Sequence, residues 1–197
     1  MKDRDLIRLY WPVGLRPAFD ALFGIDDAMA DVVAKATDPT LAAIKLAWWR
    51  DRLEGLDQGQ VPAEPRLQAA STELLPNGVS GADLAELEPG WATLLQPLPD
   101  LKAIAGRGTR LFELAARLLG TPDIEADLGA QFAIADVGRR ALLKHPPLIA
   151  GQPARVKRRL RPITGLVVLA RRPLSEPEAT PGRALALLRH RWTGRID

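Results

Sequence analysis

The chain has 197 residues, 47% hydrophobic and 26% charged, enough to bury one sizeable core and too few for two full domains. Cysteine is absent and His145 and His190 are the only histidines, which removes disulfides, thiolate chemistry and multi-histidine metal sites and leaves little material for a Ser-His-Asp arrangement. The net charge of +3 conceals an asymmetry: 13 Lys/Arg stand against 21 Asp/Glu up to Val137 and 14 against 3 from Gly138 on, so the halves carry −8 and +11. They either attract one another or serve an external acidic partner.

In chain order, MKDRDLIRLYWPVG mixes acids and bases without an apolar segment, so it reads as an arm held to the core by Tyr10 and Trp11 and not as a signal peptide. From Pro17 to Leu56 two amphipathic helices are legible. Phe19, Leu22, Phe23, Met29, Ala30 and Val33 recur at helical spacing over 17–36, with Asp20, Asp27 and Asp31 on the flank. Asp38-Pro39 supplies a capping carboxylate followed by a proline at the first helical position, which starts a second helix over 39–56. Its apolar residues, Leu41, Ile44, Leu46, Trp48, Trp49, Leu53 and Leu56, cover about half the circumference, which predicts a central helix packed on more than one side. Asp26 interrupts the first stripe, and Lys45 and Arg52 interrupt the second. Because a lone buried charge is costly, the pattern predicts that Asp26 pairs with Lys45 or Arg52 across this hairpin.

Residues 57–81 are rich in glycine, proline and polar side chains and read as a connection with one short helix near 66–75. Pro89-Gly90 should kink or split a helical pattern over 83–95. A clean helix over 101–119, with Ile104, Leu111, Ala115 and Leu118 inward, ends at Gly120, and Thr121-Pro122 should open the next, running to about Lys144. Gly106-Arg107-Gly108 lacks the preceding strand and wider glycine spacing of a nucleotide-binding loop. After a basic, proline-flanked segment over 145–161, short helices are expected near 163–171 and 182–192. The apolar run Ile163–Ala170 is far shorter than the roughly 20 residues a membrane span needs, so a cytoplasmic protein, soluble or peripheral to a membrane, is expected. The fold class read from these elements is all-α, one helical domain without strands.

Leu22-Phe23, the acidic helix after it and the run Ile44-Lys45-Leu46-Ala47-Trp48-Trp49-Arg50-Asp51 resemble the N-terminal region of the squalene/phytoene synthase family, especially the short divergent branch that includes a complex I assembly factor. The resemblance covers residues 9–56, with a partial echo at Asp136. It implies a truncated isoprenoid-synthase bundle. In that family two DxxxD motifs on facing helices hold magnesium on a prenyl diphosphate, because carboxylates one turn apart present oxygen ligands on the same side.

Asp27 and Asp31 form a DxxxD, but measured from Leu22-Phe23 the family's pair falls one turn later, on Ala30 and Ala34, and the competing reading is a solvated flank on which Asp31 meets Lys35. Asp136-Val137-Gly138 opens the second motif, yet Arg139 and Arg140 stand where the closing acid belongs. Two guanidiniums repel magnesium and are suited to forked bonds with a phosphate.

Three readings remain open. The first is a non-catalytic relative that binds or assembles through its groove or basic surface. The second is a magnesium-dependent prenyltransferase with metal ligands Asp27, Asp31 and Asp136 and diphosphate ligands Lys45, Arg52, Arg139 and Arg140. The third, nucleic-acid binding through the basic region, has no recognition motif to accompany it. For 155–195, where Arg155, Lys157, Arg158, Arg159 and Arg161 precede an apolar stripe of Leu185, Leu188 and Trp192 flanked by Arg183, Arg189 and Arg191, the expected partner is a protein or an anionic membrane surface.

Overall fold

A proline or a capping acid sets the start of most of the longer helices. The computed structural model describes residues 3–147 and 151–197; Met1 and Lys2 of the arm and 148–150 of the basic segment lie outside the described residues. The chain is an all-α bundle: α1 (Asp3–Arg8), α2 (Arg16–Ala34), α3 (Pro39–Leu56), α4 (Pro65–Glu73), α5 (Gly81–Ala85), α6 (Glu88–Ala92), α7 (Leu101–Leu118), α8 (Ala126–Arg139), α9 (Arg161–Ala170) and α10 (Pro181–Thr193). The extended backbone that pairs among the described residues is a two-residue ladder, Ala154–Arg155 against Arg195–Ile196.

Asp38 accepts from the amides of Thr40 (2.7 Å) and Leu41 (3.3 Å), so α3 begins where the Asp-Pro pair places it. Gly120, at φ +65°, ends α7 in the left-handed conformation that a side chain disfavours. The arm is tucked as its aromatics predict, with Trp11 buried and stacked on Phe19 (4.9 Å) and Phe23 (5.5 Å), but it also forms the short helix α1. The 57–81 connection contains α4, and its Leu67, Leu74 and Val79 are fully buried in the common core. The interruption near Pro89-Gly90 falls one turn earlier, at residues 86–87, and places Pro89 in the first turn of α6, where a missing N–H costs nothing.

Two expectations are corrected. The helix expected over 122–144 is shorter: residues 121–125 are not helical, and Ala141, at φ 56°, closes the chain off before Pro146-Pro147. A proline fits a first helical turn without requiring one. The second correction concerns α3, which touches α2, α4, α5 and α6 but does so through a narrower face than its apolar residues suggest. Helix α3 buries one stripe, Ala42, Leu46, Trp49, Leu53 and Leu56, and leaves Leu41, Ile44 and Trp48 exposed at 57%, 60% and 41%. Half a circumference of apolar residues therefore did not mean half a circumference of contact.

Helices α7 and α8 pack closely along their length. A Cβ on Gly108 would stand 2.0 Å from the Gly129 carbonyl oxygen, and one on Gly129 would stand 2.2 Å from that of Gly108. The helices cross backbone to backbone at these two glycines. This contact fixes where α8 presents Asp136 and Arg140 to the rest of the bundle.

Candidate functional site

A chain of alternating charges runs through the centre of the molecule, built from α1, α2, α6, α7 and α8. Asp26 on α2 is fully buried and accepts from three donors: Trp91 Nε1 of α6 (2.9 Å), Arg107 Nη1 of α7 (2.8 Å) and Arg4 Nη2 of α1 (3.2 Å). Arg107, equally inaccessible, lies with its guanidinium 3.8 Å from the Trp91 ring centroid and reaches on to Asp136 Oδ2 on α8 (3.2 Å). Its Nε has no partner among the described residues. Stacking on the indole and two carboxylates together offset the cost of removing this guanidinium from water.

Asp27 and Asp136 do converge, and an arginine stands between them. Arg140 donates from Nη2 to Asp27 Oδ1 (2.6 Å) and from Nε to Asp136 Oδ1 (2.9 Å), while Arg4 holds the other Asp27 oxygen. Burial by itself pushes the Asp136 carboxyl up, but the guanidiniums of Arg140, Arg107 and Arg4 outweigh it and hold the group below its usual value. For Arg140 burial acts against the charged form, and Asp136 and Asp27 reverse it, so its guanidinium is held protonated more firmly than usual.

These residues border a cavity of about 280 Å³ between α1, α2, α8 and α9, with Phe132, Leu166 and Leu169 supplying apolar wall and Arg4, Arg139 and Arg140 among its charged residues. Arg139 lines this cavity without serving as a free fork. It donates to the carbonyls of Leu169 (3.3 Å), Arg172 (3.1 Å), Pro173 (3.3 Å) and Glu176 (3.3 Å), where it satisfies orphan acceptors at the end of α9. Burial, with the nearby Arg183 charge, lowers its affinity for a proton.

The remaining predicted site residues lie elsewhere. Asp31 meets Lys35 (3.2 Å) and Arg66 (3.9 Å) beside a separate surface depression that Lys45 also lines. Arg52 extends along α3 beside Asp51 (3.6 Å) and Trp48. The expected pairing of Asp26 with Lys45 or Arg52 is therefore wrong: both bases lie at the surface, and the partners of Asp26 come from α1, α6 and α7. Arg107 was missed, although it falls at the edge of the inward stripe formed by Ile104, Leu111 and Leu118, the same signal that marked Asp26.

The residues do not fit a magnesium ion. Three carboxylates, Asp26, Asp27 and Asp136, face three guanidiniums, Arg4, Arg107 and Arg140, and each carboxylate is bonded to two of them. A hard dication needs several free oxygen ligands and would have to displace charge-assisted bonds of 2.6 to 3.2 Å to obtain them. Among the described residues no three carboxylates or histidines are grouped to hold a metal. No family model matches the chain, and no curated protein and no solved structure matches it either.

Proposed function

We propose that the chain is a squalene/phytoene synthase-like helical protein, a short form of the isoprenoid-synthase bundle, that binds a ligand or assembles with a partner through its groove without carrying out prenyl transfer. One observation carries the reading: Arg140, at the place of the closing acid of the second motif, joins Asp136 to Asp27 and so occupies one carboxylate of each motif. The apolar wall of Phe132, Leu166 and Leu169 suits an apolar ligand, whereas the four carboxylates of the lining, Asp3, Asp27, Asp136 and Glu178, outnumber its three guanidiniums and leave no excess positive charge to hold a diphosphate for turnover.

The convergence of Asp27 and Asp136 on one cavity favours the second reading, a magnesium-dependent prenyltransferase, to the extent that two of its three proposed metal ligands lie together. A diphosphate-release assay with farnesyl and geranylgeranyl diphosphate, with and without magnesium, separates the two. The proposal expects no release under either condition. Magnesium-dependent release that is lost in Asp27→Ala or Asp136→Ala overturns it.

A further inference from the structure

The acidic half of the chain does not neutralise all of the basic half. Arg140 reaches Asp27, Arg183 is buried against Asp3, Arg172 meets Glu176, and Arg189 meets Asp197 at 3.0 Å. Among the described residues no carboxylate pairs with Arg155, Lys157, Arg158, Arg159, Arg161 or Arg191. These six bases cluster around the approach to α9 and the end of α10; Arg139, Lys144 and Arg171, which also lack a carboxylate partner among the described residues, lie elsewhere.

Here lies a second cavity, of about 480 Å³, bordered by Tyr10, Arg158, Arg161, His190, Arg191 and Trp192, with no acidic residue in its lining. Arg161 shapes it by donating to the carbonyls of Arg191 (2.7 Å) and Trp192 (2.9 Å), and its Nε is buried without a partner among the described residues. The Arg191 guanidinium is held 4.8 Å from the Tyr10 ring centroid. Arg158 and Arg191 are exposed. Beside this opening α10 presents Leu185, Leu188 and Trp192 on one face, Trp192 at 76% exposure, although a tryptophan gains most where one edge is apolar and the other wet. Leu9, next to Tyr10, is exposed as well.

We infer that this side of the molecule docks on an anionic phospholipid bilayer, the cavity between α1, α9 and α10 receiving a headgroup phosphate while the Leu185, Leu188 and Trp192 stripe enters the interface. Charge complementarity argues for phosphate, since a concave site with three guanidiniums and no carboxylate is an anion site. The apolar stripe argues for a lipid surface over a free phosphate, because a dissolved anion leaves those side chains in water. This docking is independent of the cavity between α2, α8 and α9.

The test is sedimentation of the full chain with vesicles of phosphatidylcholine alone and of phosphatidylcholine mixed with phosphatidylglycerol. Recovery is expected with the anionic vesicles only, falling as the Debye length shrinks from about 10 Å to about 3 Å between about 0.1 M and about 1 M salt. Replacing both exposed arginines, Arg158→Gln with Arg191→Gln, should weaken partitioning by about 30-fold, and circular dichroism should show the fold intact. Bromolipid quenching of tryptophan fluorescence should be lost in Trp192→Phe. Equal recovery with both vesicle types, unchanged binding by the double variant, or quenching that survives Trp192→Phe overturns the inference. So does saturable binding of inorganic phosphate or of a single-stranded RNA that outcompetes the vesicles.

Discussion

Removing one member of the Asp26–Arg107 pair tests the description of the core most sharply. Both side chains are inaccessible to water and 2.8 Å apart, and each has further partners, so Asp26→Asn leaves a buried guanidinium short of one charge and Arg107→Met leaves a buried carboxylate facing Arg4 and Trp91. At an effective dielectric of about 20 and a charge separation of about 4 Å, the attraction alone is about 4 kcal/mol, partly offset by desolvation. Each single substitution should therefore cost about 3 kcal/mol or slightly more. With about 2–4 °C lost per kcal/mol in a chain of this size, melting falls by about 6–12 °C. The double variant removes both charges, so it should be less damaging than the sum of the singles by roughly 2 kcal/mol. Urea unfolding followed at 222 nm gives all four corners of the cycle. Single costs below about 1 kcal/mol, or additivity within about 0.5 kcal/mol, would refute the reasoning. Lys45→Ala and Arg52→Ala serve as controls and should each stay within about 0.5 kcal/mol of the parent, as expected for solvated bases.

The two glycines flanking Arg107 should behave oppositely. Gly106→Ala meets nothing within 4 Å and should stabilise α7 by about 0.5–1 kcal/mol, whereas Gly108→Ala drives a methyl into the backbone of α8 and should cost about 2 kcal/mol or more, both read from thermal melts. Glu176 is held down to about 2 by its hydrogen bond from Arg172 and, beyond that, by Thr180 and the Arg172 and Arg183 charges. Its folded value lies below its ordinary 4.5, so its contribution to stability is complete above about pH 4.5 and is lost as pH falls toward 2. Glu176→Gln should accordingly lower the urea midpoint at pH 7 and match the parent near pH 2; an equal deficit at both pH values would contradict the shift.

How far the sequence reached depended on whether a feature was local. The start of α3 at Asp38-Pro39, the stop of α7 at Gly120 and the aromatic docking of the arm all rest on neighbouring residues and were legible. So was the anomaly of Asp26, a charge within an apolar stripe. Its partners were not, because the bases that meet it come from α1 and from α7, 81 residues away, and not from the adjacent helix. Arg107 carries the same mark on its own helix, a base at the edge of the apolar stripe between Gly106 and Gly108. The glycine at 108 lets α8 approach closely enough to bring Asp136 and Arg140 to α2. The exposure of Leu41, Ile44 and Trp48 was not legible, since apolar content alone does not say which neighbour covers a face. Asp27 and Asp31, joined by a spacing of four, part company because the chain of arginines reaches the first and stops short of the second.

The central claim, that the acidic residues of the cavity are matched to guanidiniums and not to a metal, is tested most directly by titrating manganese(II), a paramagnetic stand-in for magnesium with the same preference for oxygen ligands, and following the free ion by electron paramagnetic resonance. The parent chain and an Asp27→Asn, Asp136→Asn variant should deplete the free-ion signal equally and without saturation. Saturable depletion by the parent that disappears in the variant would show that Asp27 and Asp136 hold a metal together and would contradict the account.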